Sequence, residues 1–384
     1  MHLNPKTTKG DTMNMLDLKR LHLCAAMAVC LPLAAPAHAG DAFLEQARAY
    51  TRDVTQPGQP WTGPTSGAPA QSGKSIVFVS ADQRDSGPRG VGQAVQEAAK
   101  AIGWSFRSID GQGSISGRSA ALNQAIALKP DGIVLGSVDA NEQAQLIKDA
   151  SSRGIRVVGW HSLSRPGPAP AAGLFTNLAT DPLDVGKAAV MYAVAQSDGK
   201  AGVVIFTDST YEIAISKSNA MAELVKQCSG CQLLKIEDAP LADSATRMPQ
   251  LTTTLLQRFG AKWTYALSIN DLTFDFMAPA LQQAGYAADG PLLGVSAGNG
   301  SETAFQRIRT GQYQSATVAE PVSLHGWQAV DELNRAFAGQ SPSGFSAPVH
   351  LVVAGNIATD GGPRNLYDPD NHYRDVYRGI WAGQ

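Results

Sequence analysis

Residues Lys262 to Tyr286 read KWTYALSINDLTFDFMAPALQQAGY. An apolar run of strand type, Tyr265 to Ile269, stops at Asn270 and Asp271, and a helical pattern of Leu272, Phe276, Ala280 and Ala284 begins at once. A strand that passes so quickly into a helix is the unit of an α/β sheet. The polar pair at the junction has two readings. Asn and Asp cap helices, because a short side-chain oxygen accepts one of the orphan N–H groups of the first turn. The carboxyl end of a strand in an open parallel sheet is also where ligands sit.

Outward from this stretch the same alternation recurs. Toward the N-terminus, SIVFVS (75–80), WSFRSID (104–110), GIVLGS (132–137) and IRVVGWH (155–161) are strand-like and are separated by helical patterns. SLSRPGPAPAAG (162–173) interrupts the alternation, which restarts with the helical PLDVGKAAVMYAVAQS. GVVIFT (202–207), QLLKIED (232–238), YALSIN (265–270) and PLLGVS (291–296) follow, each trailed by a helix. YQSATVAE (313–320), a helix through Phe337 and PVHLVVAGNI (348–357) complete the pattern. Two α/β lobes with parallel sheets and helices on both faces are the simplest fold. Residues 41–73 carry a short helical pattern, AFLEQARAY, and then a Pro- and Gly-rich run expected to be extended. Near the C-terminus, Tyr373, Val376, Tyr377, Ile380 and Trp381 form one helical face expected to pack on the body.

The first 39 residues read as an export signal. Lys19 and Arg20 precede an apolar run too short to span a bilayer, and Ala37-His38-Ala39 fits the small-x-small rule for cleavage before Gly40. The start codon stays open among Met1, Met13 and Met15, and neither Cys24 nor Cys30 follows the small residue that lipidation wants. Without residues 1–39 the chain has 27 basic and 31 acidic residues and no basic run, which argues against a nucleic-acid partner. Only Cys228 and Cys231 remain. They follow a helical pattern rather than opening one, so a structural disulfide is expected in place of a redox pair.

Three patterns suggest chemistry and fail in context. Gly294-Val295-Ser296-Ala297-Gly298 fits the G-x-S-x-G of a serine hydrolase, with Ser296 as nucleophile and Asp331, His325, His350 and His372 as triad candidates, but too little alternating chain follows for that fold. GPRGVGQAV (87–95) has Val95 where a dinucleotide fingerprint needs glycine, and the turn before it is too long for a phosphate loop. YDPDNHYRD, with Asp368, Asp370 and Asp375, lacks the glycine and glutamate of a calcium loop. His161, His325, His350 and His372 have no metal-ligand spacing. The expected protein therefore has no enzyme activity, cofactor or metal.

An exported chain of two α/β lobes without a catalytic set resembles the type I periplasmic solute-binding proteins of ABC importers, the ribose- and galactose-binding family. The resemblance covers about residues 74–357 and rests on SIVFVSADQ, ALKPDGIVLGSVDANEQAQLIKDASSRGIRVVGWH, YALSINDLTFDFMAPALQQAG and IRTGQYQSATVAEP in that order. It implies two Rossmann-like lobes in a Venus-flytrap arrangement, joined by a hinge crossed near 178, 320 and 349. The N-terminal lobe then holds residues 74–178 and 321–348, and the C-terminal lobe with its tail holds 179–320 and 349–384, after an N-terminal extended arm at 40–73. The implied function is capture of a small polar solute, a sugar or polyol, between the lobes of a periplasmic monomer that serves an inner-membrane ABC permease or, alternatively, a membrane sensor kinase or chemoreceptor. The implied ligand residues are Gln83, Arg84, Asp85, Trp160, His161, Asp208, Tyr211, Glu212, Lys217, Asn270, Ser296 and Glu320. Trp160-His161 stands where many sugar binders have Asp-Arg, and Ser296 stands for an aspartate. Trp160 is open to two readings, stacking on a sugar face or packing, while Glu212 and Glu320 either replace the missing carboxylates or favour a polyol or cationic ligand. Asp271 is read mainly as the helix cap and Asn270 as the ligand contact.

Overall fold

The computed structural model describes residues 39–384; the expected export signal lies outside them but for its last residue. In chain order the elements are α1 (Ala39–Val54), β1 (Ser75–Ser80), α2 (Ser86–Ile102), β2 (Ser105–Asp110), α3 (Ile115–Ala127), β3 (Gly132–Gly136), α4 (Ala144–Ser152), β4 (Arg156–Trp160), β5 (Gly167–Ala169) and β6 (Leu174–Leu178). The chain continues through α5 (Pro182–Gln196), β7 (Gly202–Thr207), α6 (Glu212–Gln227), β8 (Gln232–Asp238), α7 (Ser244–Phe259), β9 (Tyr265–Ser268) and α8 (Leu272–Gln283). It ends with β10 (Leu293–Ser296), α9 (Glu302–Thr310), β11 (Gln314–Val318), α10 (Val322–Phe337), β12 (Leu351–Val353), α11 (Ile357–Asp360) and α12 (Tyr373–Trp381).

Two six-stranded sheets result, ordered β2-β1-β3-β4-β6-β5 and β12-β11-β10-β9-β7-β8. Both are parallel except for one edge strand each, β5 and β12, which run antiparallel to their neighbours. The central strands are apolar along their whole length, because helices cover both faces. On the first sheet α2, α10 and α12 cover one face and α3 and α4 the other. On the second, α1, α5 and α6 lie opposite α7 and α8. This is the expected two-lobe α/β fold. The chain passes between sheets after β6, after β11 and again before β12.

Helix α10 returns from the second sheet to the first and is buried on every side from Val322 to Ala336. Gly326 permits this, since a Cβ there would lie 2.4 Å from the Cβ of Ala94 on α2. Trp327 stacks on Trp381 of α12 with ring centroids 5.4 Å apart. Burying charges inside such a helix requires partners. Asp331 accepts from Arg335 Nε at 2.7 Å and from Trp381 Nε1 at 3.0 Å.

Three segments depart from expectation. Residues 162–173 were expected as a break, yet β5 pairs there with the unanticipated β6, a strand whose apolar run is interrupted by Thr176 and Asn177. In the arm at 40–73 the expected helical pattern runs on past Tyr50 to Val54, so the extended run is confined to residues 55–73. Helix α12, expected with the C-terminal lobe, packs instead on α2 and α10 of the first, where Tyr373, Tyr377, Ile380 and Trp381 join the apolar core.

The flanking segments thus straddle both lobes. At the start of the described residues, α1 packs on α5, while residues 61–73 lie on α10 and α12. Asn334 of α10 fastens this strap, donating to Ala68 O at 2.8 Å and accepting from Gln71 N at 2.9 Å. Asn334→Ala leaves buried backbone groups unpaired and is expected to cost about 1–3 kcal/mol. Urea unfolding checks this, and an unchanged midpoint would show the strap to be loosely held.

Candidate functional site

A cavity of about 420 Å³ lies between the sheets at the carboxyl ends of their strands. The loop after β1 brings Asp85, whose Oδ1 caps α2 by accepting from Gly87 N at 3.0 Å. Its Oδ2 accepts from Nδ2 of Asn270, on the other lobe, at 3.3 Å. Burial pushes the Asp85 carboxyl above its ordinary range against these two donors. From α3 comes Arg118, which donates to Glu142 at 3.1 Å and 2.5 Å and lies over the Tyr211 ring of the second lobe.

Beneath the cavity lies a buried charge cluster. Glu320 follows β11 and accepts from Lys217 Nζ at 3.2 Å, while its other oxygen is 2.7 Å from His161 Nε2. Burial pushes the Glu320 carboxyl up, but His161 and Lys217 outweigh it and hold it well below the usual carboxylate range. His161 has φ 52°, and this backbone turn lays its ring flat on Trp160, centroids 3.9 Å apart. Trp160 in turn donates from Nε1 to His325 Nδ1 at 3.0 Å.

Of the residues expected at the site, Arg84, Asp85, His161, Asp208, Tyr211, Lys217 and Asn270 line this cavity. Five others do not. Gln83 serves the loop through its backbone, donating to Asp110 and accepting from Arg89. Trp160 is fully buried behind His161, which excludes the stacking reading. Glu212 opens α6 at the rim, where it accepts from Asn141 at 2.6 Å and Ser164 at 3.0 Å, so it joins the lobes from outside. Ser296 is buried with its hydroxyl donated to Gly298 O. Glu320 acts from below, through His161 and Lys217.

Asp271 does not make the cap read from sequence; Asn270 takes that role as well as its expected place on the cavity wall. Asn270 Oδ1 accepts from Leu272 N at 2.9 Å and so caps α8, while its amide also lines the cavity. Asp271 makes no cap and accepts instead from Gly300 N, Ser301 N and Gln314 Nε2, at 2.9, 3.1 and 2.8 Å, holding the loop after β10. Sequence reasoning missed Arg118, Ser137 and Asn299 and the apolar wall of Ile213, Leu241, Leu272 and Phe276. Only Asn299 left a signal, in the Asn-Gly turn after β10.

Cys228 and Cys231 form the expected disulfide, at the C-terminus of α6 and away from the cavity lining. Among the described residues no cluster of His, Cys, Asp or Glu is arranged to hold a metal ion, and no helix is long and apolar enough to cross a membrane.

A ligand cleft between two α/β lobes, built on strand ends, defines a binding protein of the two-lobe type. Residues 76–341 match the model of the periplasmic binding protein domain, and the chain belongs to that family. These are solute-binding proteins and not enzymes. Among curated proteins, the ABC transporter periplasmic-binding protein YphF of Escherichia coli K12 is 26% identical over 164 residues, which are 41% of this chain and 50% of that protein. The chain thus spans about half the length of that relative. A sugar ABC transporter structure from Yersinia enterocolitica aligns with TM-score 0.68 at 18% identity, covering 82% of this chain and 95% of that one. An ABC transporter solute-binding protein from Agrobacterium vitis, bound with α-D-tagatopyranose, also aligns at 0.68, with 16% identity over 77% of this chain and 99% of that one. At these identities the two structures speak for the fold alone.

The burial of His325 gives the stability of the fold a pH dependence. Burial pushes its imidazole down to about 4 from an ordinary value near 6.5. Stability from the neutral ring is present above about 6.5 and is lost as pH falls toward 4, a swing of about 3 kcal/mol. His325→Gln keeps an acceptor for Trp160 and removes the titration. Urea midpoints between pH 7 and 4 should therefore fall less steeply in the variant, and equal slopes would refute the assignment.

Proposed function

We propose that this protein captures a small polar solute, a sugar or polyol, between its lobes in the periplasm and delivers it as a monomer to an inner-membrane ABC permease. The observation that carries this reading is the inter-lobe cavity, where polar side chains from both lobes converge at strand ends. Lobe closure around such a ligand excludes water and so strengthens each hydrogen bond. Similar folds with bound α- and β-L-arabinofuranose, allitol and α-D-tagatopyranose support the ligand class. The apolar run with its small-x-small cleavage motif before Gly40 supports export. The ligand residues proposed are Arg84, Asp85, His161, Asp208, Tyr211, Lys217 and Asn270, with Glu320 setting His161 and Lys217 in place.

A thermal-shift screen with L-arabinose, D-galactose, D-tagatose and allitol tests this. A ligand at 100 times its Kd stabilises by about 2.7 kcal/mol, and at least one of the four should raise Tm accordingly. A folded protein unmoved by sugars and polyols removes the reading. Asn270→Ala should weaken binding about tenfold and, because Asn270 also caps α8, cost about 1 kcal/mol of stability. Unchanged affinity would show that Asn270 has only its capping role.

A further inference from the structure

Helix α6 begins at the mouth of the cavity without a side-chain cap of its own. The first N–H groups of a helix need acceptors from outside it. Here one acceptor comes from the other lobe: Glu212 N donates to Asp139 Oδ2, in the loop after β3, at 3.5 Å. The other oxygen of Asp139 accepts from Asn141 N at 2.8 Å, and Asn141 Nδ2 donates back to Glu212 Oε2 at 2.6 Å. Ser164, in the loop after β4, donates its hydroxyl to Glu212 Oε1 at 3.0 Å. Both carboxylate oxygens and the backbone N–H of one residue are thus committed to two loops of the opposite lobe.

The neighbouring Tyr211 is held from the same direction. Glu142 fixes Arg118, whose guanidinium lies 5.4 Å from the centre of the Tyr211 ring. A carboxylate in the first turn of a helix is favoured by the helix dipole, and hydrogen bonds to it are stronger than those between neutral groups. Glu212 also stands well out from the crossing between the lobes. It lies five residues before Lys217, which meets Glu320 at that crossing, and so roughly 7.5 Å farther out along the helix axis. Glu212 is not among the residues that line the cavity.

We infer that Glu212 is a latch, which draws the lobes together at the mouth of the cleft and sets how tightly a solute is held without touching it. Its effect on affinity rests on the cavity being a ligand site; its effect on the lobes does not. Every bond of the latch joins protein to protein, so its contribution to closure is the same whatever solute lies within. A solute held by the closed lobes gains affinity in proportion to the closed fraction of the free protein. The latch therefore scales the affinity for all solutes by one factor, whereas a residue that touches the solute weighs one solute against another. Glu212 is exposed at the rim, where water competes for its bonds, so that factor is about fivefold.

Spin labels on Gln145→Cys in α4 and Asn219→Cys in α6, both exposed positions and one on each lobe, report the lobe separation of the ligand-free protein with its Cys228–Cys231 disulfide intact. Glu212→Ala should move the distance distribution to longer values. Glu212→Gln, which keeps one carbonyl acceptor, should fall between it and the wild type. Titration with L-arabinose, D-galactose, D-tagatose and allitol should show every compound that the wild type binds weakened about fivefold in Glu212→Ala, with the factors agreeing within twofold. A distance distribution unchanged in Glu212→Ala overturns the latch, and a lowered Tm beside that unchanged distribution would show a merely structural role. Affinities within twofold of wild type, or losses that differ from solute to solute, overturn its control of affinity. Wild-type protein that binds none of the four compounds removes the capture reading, while the distances still decide the latch.

Discussion

The structure turns on a single carboxylate. Glu320 sits where the chain leaves the second sheet for α10, fully enclosed, and an ionised carboxylate there costs several kcal/mol unless it is paired. Its partners come from opposite sides: Lys217 from α6 of the second lobe and His161 from the end of β4 in the first. One charge therefore fastens the crossing segment to both lobes. It also fixes the orientation of the His161 ring, which rests on Trp160, which is in turn tied to His325 on α10. The cavity wall is thus supported through four side chains back to the most deeply buried helix of the molecule. A consequence is that Lys217, although it lines the cavity, has most of its charge taken up before any ligand arrives.

The fold was largely legible because parallel strands covered on both faces read as unbroken apolar runs. GVVIFT coincides with the fully buried β7 residue for residue, and the more polar QLLKIED matches the edge strand β8 as closely. What failed were edges and flanks: β6 carries Thr176 and Asn177 in its middle, and a helical stripe such as that of α12 does not encode which lobe it packs on. In the site, strand ends marked where polar groups gather but not which way each points. Trp160 and His161 would face opposite ways in a continuous pleat. The positive φ of His161 breaks the alternation and sets the rings side by side, so the tryptophan is hidden behind its neighbour. At Asn270-Asp271 the sequence marked the cap and the contact, but not that Asn270 serves as both. The long reach of Asp271 to the loop after β10 depends on the neighbouring strand, which a local reading does not see. Arg118 was missed because an arginine in the first turn of a helix looks like any solvated charge until its burial is known.

The flanks lie outside the family match, which runs from residue 76 to 341. They add two more connections between the lobes to the three made by the sheets. Their lengths set a mechanical limit. Between Thr55, whose carbonyl is bonded to Asn356 in the second lobe, and Trp61, packed on Tyr377 in the first, only residues 55–60 are available. Six residues reach about 20 Å at full extension. The other connection has no slack: Tyr367 is packed in the second lobe, and the next residue, Asp368, already accepts from Tyr373 and Arg374 on α12. Any motion that parts the lobes at that point must unseat Tyr367 or break the bonds to Asp368, so the hinge is one that works on a short tether.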